Sequence, residues 1–144
     1  MSTGSGQFIT GLEGVLACES SIAYIDGSVP ELSIRGYQIE DIAPKLSYEE
    51  IAFLLWNDCV PTLPELEDFR RELAEFRELP SPVIDLLRMT PASAHPMATL
   101  RTAVSMLGAM DPNAGDLSPE DNLRKAKVLM ARLPTIVAAE SRIE

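Results

Sequence analysis

The placement of eleven prolines among apolar stripes of helical period constrains this 144-residue chain more than any other feature. Proline lacks a backbone donor and crowds the preceding helical turn, so it is kept out of central strands and confines helices to the stretches between prolines. Ile39, Ile42, Ala43 and Leu46 mark a short helix that Pro44 holds to a turn or two. Ser47, with Glu50 three residues on, forms a capping-box pair that opens a second helix carrying Ile51, Leu54, Leu55 and Trp56. A third begins at Thr62 or Leu63 and stripes Leu66, Phe69, Leu73 and Phe76 along one face. Val83, Leu86 and Leu87 make a short fourth helix, closed by Thr90-Pro91. Pro96 suits the first position of a fifth over 96–110, and Ser118-Pro119-Glu120-Asp121 opens a sixth over 118–143. Pro134 lies inside that last helix and predicts a bend there of about 20° or more.

The first quarter reads differently. Residues 1–10 are small and polar and are read as a frayed terminus. Val15-Leu16-Ala17-Cys18 and Ile22-Ala23-Tyr24-Ile25 are β-competent runs, Asp26-Gly27 signals a turn, and Leu32-Ser33-Ile34 alternates once more. The expectation is a mainly α protein: a β-arm over 11–37, then a helical segment over 38–144.

Charge and cysteine usage exclude several classes of function. Net charge is −10, and residues 1–66 hold ten acids against only Arg35 and Lys45. No basic stripe exists to neutralise phosphates, so nucleic acid and anionic membrane are not expected partners. No apolar run reaches the length of a membrane span, and the first residues lack the pattern of a secretory signal, which places the chain in the cytoplasm. Cys18 and Cys59, forty-one residues apart with apolar residues nearby, are read as buried free thiols.

Residue chemistry alone assembles no catalytic constellation. The scattered glycines match no phosphate-binding loop, and one histidine with two distant thiols has no metal-ligand spacing. His95, directly before Pro96, is read as a packing or capping group at a helix start, with a general base as the sharper alternative. Glu49-Glu50 and Glu65, Glu67 and Asp68 fall at helix starts, where the dipole favours them. Met97, Met106, Met110 and Met130 are read as interhelical packing.

Five blocks in order nevertheless resemble one family. They are Gly11-Leu-Glu-Gly-Val-Leu-Ala-Cys-Glu-Ser-Ser-Ile-Ala-Tyr-Ile-Asp-Gly27, Ile34-Arg-Gly-Tyr-Gln-Ile-Glu-Asp-Ile-Ala43 and Ser47-Tyr-Glu-Glu-Ile-Ala-Phe-Leu-Leu-Trp56. Ala94-His-Pro-Met-Ala-Thr-Leu-Arg-Thr-Ala-Val-Ser-Met-Leu-Gly108 and Leu133-Pro-Thr-Ile-Val-Ala-Ala139 complete the set. Together they resemble the opening arm and part of the helical large domain of citrate synthases. The resemblance implies an all-α, homodimeric acyltransferase that condenses acetyl-CoA with oxaloacetate to give citrate and CoA. It implies no metal and no cofactor beyond acetyl-CoA as substrate. The family's catalytic histidines and aspartate sit in His-Gly-Gly-type, Gly-His-x-Val and Pro-Asn-Val-Asp-like motifs, none of which occurs in this sequence. Catalytic, substrate-binding and metal residues are therefore expected to be absent, and this chain alone is expected to be inactive. A 2-methylcitrate synthase fragment and a non-enzymatic helical dimerisation module are the alternatives.

Helices 96–110 and 118–143 match the pair that the family uses at its two-fold interface. On the first, Met97, Leu100, Val104, Leu107 and Met110 form a wide apolar stripe beside the small residues Ala98, Ala103, Ser105 and Gly108. Leu129, Leu133 and Val137 extend it on the second. Small and large residues alternating along two helices suit close face-to-face packing, which makes these eight the expected dimer interface.

Overall fold

The computed structural model describes residue 11 and residues 18–143. Among them are six helices and one three-stranded sheet. They divide into two compact units, the first ending at Val60 and the second beginning at Pro61. The expected terminus over 1–10 and most of the expected strand 15–18 lie outside the described residues.

In the first unit, β1 (Ala23–Asp26), β2 (Glu31–Ile34) and β3 (Tyr37–Gln38) pair antiparallel in sequence order. Ala23 faces Ile34 and Ile25 faces Leu32, which gathers the aliphatic residues on one side of the ribbon. The β2–β3 connection is the two-residue loop Arg35-Gly36, at φ 48° and 83°. Such positive angles match the twist of a tight hairpin but suit glycine better than arginine. Contacts of the Arg35 side chain offset the strain. One terminal nitrogen donates to the Leu55 carbonyl at 2.8 Å, and the other meets Asp58 at 2.7 Å and Ser21 Oγ at 3.2 Å.

Helix α1 (Ile39–Ile42) is a single turn followed by α2 (Tyr48–Asn57). Ser47 opens α2 as expected. Its Oγ accepts from the Glu50 amide at 3.4 Å, and the Glu50 carboxylate accepts from the Ser47 amide at 2.7 Å. Asp58, at φ 61°, ends the helix in the left-handed conformation. The Arg35 guanidinium therefore sits where the helix dipole favours a cation. Leu54 is fully buried.

The second unit holds α3 (Leu63–Phe76), α4 (Ser81–Met89), α5 (Pro96–Met110) and α6 (Pro119–Glu140). Thr62 and Glu65 form the second reciprocal cap, with amide and hydroxyl both donating to the Glu65 carboxylate at 2.8 and 2.6 Å. The core is built by α4, α5 and α6: Val83, Ala103 and Ile136 have no exposed surface, and Leu79, Leu87 and Leu107 surround them. Helix α3 is tied to α6 by Lys127, which reaches Glu72 at 2.7 Å, and by Arg132 Nε, which donates to the Phe76 carbonyl at 3.0 Å. Helix α6 continues unbroken past Pro134, and Thr135 Oγ1 donates to the Ala131 carbonyl at 3.3 Å beside it.

Two sequence expectations are corrected. Cys18 and Cys59 are free thiols as expected, but both are exposed rather than buried. Apolar neighbours along the chain are not neighbours in space: Cys59 follows the turn where α2 has already ended. Met97 is also exposed, at 63%, because it projects from the first turn of α5 away from the core; Met106 does pack against it.

Replacing Ile136 with alanine leaves a cavity among α4, α5 and α6 and is expected to destabilise the second unit by about 2–5 kcal/mol in urea unfolding. Ser105→Ala, on the exposed side of α5, should stay within about 0.5 kcal/mol.

Candidate functional site

A concavity of the second unit opens between the C-terminal half of α5 and the first half of α6. It has a volume of about 450 Å³. Its apolar wall includes Val104, Leu107, Met110 and Leu129, four of the eight residues expected at an interface, with Phe76 from α3 closing one side. Leu107 also belongs to the core behind the wall, and Met110 is 41% exposed. Val137 lines a second, smaller cleft of about 340 Å³ at the other end of the pair. Met97, Leu100 and Leu133 line neither. The structure thus places the expected residues along one helix pair but concentrates half of them in one hollow.

The rim of the larger cleft carries charge, and the charge is internally satisfied. Arg124 donates to Asp111 at 2.6 Å and to Asp121 at 2.6 Å, while Lys125 meets Asp121 at 2.9 Å and the Ala114 carbonyl at 3.1 Å. These contacts clasp the loop 111–118 between the two helices. Within it, the Asp111 carboxylate also accepts from the Asn113 amide, and the Asp116 carboxylate accepts from the Ser118 amide. The Arg124 and Lys125 side chains hold the Asp121 carboxyl down to about 2. Hydrogen bonds from Arg124 and from the Asn113 amide lower Asp111 as well, and Arg124 is raised in return. With its cations committed to neighbouring oxygens, this rim is built to order a loop rather than to receive an anion.

His95 acts as the N-cap of α5. Its Nδ1 accepts the Met97 amide at 3.2 Å, the capping role expected of it. Among the described residues no group of three or more histidine, cysteine and acidic side chains is arranged to hold a metal ion. No helix among them is long and apolar enough to cross a membrane. The concavity offers shape and apolar surface, which is the chemistry of docking.

The charged clasp is the element least visible in the sequence. Asp121 stands three residues from Arg124 and four from Lys125, a spacing that places them on one helix face. The Asp111 partner, thirteen residues away, becomes adjacent only through the turn between helices.

Comparison with known proteins adds to this geometry. A family model described as "Citrate synthase, C-terminal domain" matches residues 11–144. A citrate synthase from Haloferax volcanii is 44% identical over 142 residues, covering 96% of this chain and 38% of the relative. A 2-methylcitrate synthase from Mycobacterium tuberculosis is 39% identical over 132 residues, covering 92% of this chain and 33% of the relative. The crystal structure of citrate synthase from Pyrobaculum aerophilum superposes with a TM-score of 0.83 at 36% identity, covering 99% of this chain and 38% of that one. The chain therefore spans between about a third and two fifths of the length of these relatives.

Folded-state carboxyls held below their unfolded range stabilise the fold above the unfolded value, and that stability is lost as pH falls through the folded value. The clasp should thus be intact above about pH 4 and released between about pH 4 and 2. Protection of the Asn113 amide from hydrogen exchange, relative to its intrinsic rate at each pH, should fall over that window, and Arg124→Met should lower it at neutral pH.

Proposed function

The chain belongs to the citrate synthase family, and we propose that it supplies the arm and part of the helical large domain of an enzyme condensing acetyl-CoA with oxaloacetate to citrate and CoA. The observation that carries this reading is the match of residues 11–144 to the family. Carbon–carbon bond formation of this kind needs a base for the acetyl methyl proton, a hydrogen-bond donor where enolate charge develops, and cations for a dicarboxylate. The sole histidine is occupied as a helix cap, and Arg124, Lys125 and Arg132 already bond to protein oxygens. This segment accordingly serves as scaffold, and the reacting groups come from elsewhere in the synthase. Acetyl-CoA enters as substrate rather than cofactor, and the reaction is placed in the cytoplasm. Propionyl-CoA condensation to 2-methylcitrate is the second reading, favoured by the 39% identity to the Mycobacterium tuberculosis relative.

We place a two-fold homodimer contact on the larger cleft and its surroundings, centred on 100–110 of α5 and 129–137 of α6. The half-exposed Met110 and the apolar wall beside it support this, since a stable pair needs more than about 1,200 Å² of buried surface.

The chain alone should release no CoA from acetyl-CoA and oxaloacetate, followed by a thiol-reactive dye. Turnover near about 1 s⁻¹, an ordinary enzyme rate, in material free of intact synthase would overturn the scaffold reading. Light scattering at micromolar concentration should give twice the 15.7 kDa chain mass. Val104→Asp should halve it without loss of helical circular dichroism, and a monomeric native chain would contradict the dimer.

A further inference from the structure

Both cysteines of the chain fall in the first unit, and both thiols are free and exposed. Cys18 and Cys59 are far apart in sequence, but the Arg35 guanidinium makes the path between them short. One terminal nitrogen of Arg35 meets Ser21 Oγ at 3.2 Å and Asp58 Oδ1 at 2.7 Å. Two oxygens at hydrogen-bonding distance from one atom lie within about 6 Å of each other. Cys18 stands three residues before Ser21, and Cys59 directly follows Asp58. Three residues of chain reach about 10 Å at most, and neighbouring Cα atoms are about 3.8 Å apart. Through this anchor the two thiols are within reach of one another.

The backbone on either side suits a closure. Residues 18–20 belong to no strand or helix, so no ladder or helical bonds fix the course of the chain between Cys18 and the Ser21 anchor. Asp58, at φ 61°, turns the chain out of α2 and leaves Cys59 at the surface. Two thiols joined by so short a path have a high effective concentration for each other, which favours a bond within the chain over one to a foreign thiol. Metal ligation is the other chemistry open to paired thiols, but no metal-holding group of histidine, cysteine and acidic side chains occurs among the described residues.

We propose that Cys18 and Cys59 form a reversible dithiol–disulfide pair that staples the β-arm to the end of α2 when the protein meets a low-molecular-weight disulfide such as oxidised glutathione. One cysteine thiolate attacks that disulfide, forming a protein–glutathione bond and releasing a glutathione thiolate. The other cysteine thiolate attacks the protein-side sulfur. The Cys18–Cys59 bond forms, the protein–glutathione bond breaks and a second glutathione thiolate leaves. The chain loses two electrons to oxidised glutathione, and its thiol protons pass through water to the departing thiolates. The staple falls where the unit is weakly tied. A sheet of three short strands is marginal by itself, and the Asp58 side chain is 70% exposed, so water and salt compete for its pairing with Arg35. A covalent bond at the same place is not screened. The proposal stands independently of the synthase reading.

The test is oxidation of the 144-residue chain at micromolar concentration with excess oxidised glutathione, quenched by alkylation and followed by intact mass and peptide mapping. The expected end product is a single chain short of two hydrogens, free of glutathione, with Cys18 and Cys59 in one linked peptide. Dithiothreitol should restore both thiols. In the oxidised chain the Arg35 amide, which donates to the Ile22 carbonyl at 2.8 Å, should exchange with solvent at least about fivefold more slowly. Arg35→Gly suits the hairpin angles but removes the anchor, and should slow ring closure at least about fivefold while glutathione adducts accumulate. Asp58→Asn keeps a residue that tolerates the left-handed turn and removes the ion pair; it should slow closure in the same direction. Glutathione retained on the cysteines without a linked peptide would overturn the proposal, as would linkage only between chains. Closure at the native rate in either variant, or in the urea-unfolded chain, would overturn it too, because the anchor would then play no part.

Discussion

The close packing of α4, α5 and α6 is the constraint on which the second unit depends. Val83, Ala103 and Ile136 meet with no surface left to solvent. Ala103 on α5 is small and buried at the contact, which lets the neighbouring helices pack closely against it. Everything else in this unit is arranged around that contact. Lys127 and Arg132 attach α3 to α6 from the side, and the Asp111–Arg124–Asp121 clasp holds the connection between α5 and α6. The two clefts are the open ends of the same helix pair.

The first unit relies on a different device. Its sheet is too small to be stable by pairing alone. Arg35 joins the ribbon to α2 by reaching from a strained hairpin position to the end of the helix. The unit is also strongly acidic, and this cation is one of two basic side chains in residues 1–66. Placing it against a helix C-terminus and Asp58 uses it where both the dipole and the local charge favour it.

Much of the fold was legible because its signals are local. The Ser47–Glu50 cap, the start of α3 at Thr62 or Leu63, the proline starts of α5 and α6, and the His95 cap each depend on residues within three positions. Features that depend on distant parts of the chain were not legible. Exposure of Cys18 and Cys59 follows from where the chain turns, not from its apolar neighbours. The Asp111–Arg124 pair needs the loop between helices, and the Arg35–Leu55 bond needs the sheet to lie near the end of α2. By its helical spacing the interface stripe reads as one surface. Packing divides it, because Leu107 turns inward to the core while Val137 falls on the second cleft. No periodicity could reveal that Thr99, alone among the helical threonines described, lacks the backbone acceptor its neighbours use.

The helical core of the second unit is built from α4, α5 and α6 of this chain. Native-state hydrogen exchange on the 144-residue chain tests it directly. If the core forms as described, the amides of Ala103, Leu107 and Ile136 are the slowest to exchange and open only with global unfolding. Exchange at those three amides as fast as at Ser141 and Arg142, beyond the end of α6, would contradict it.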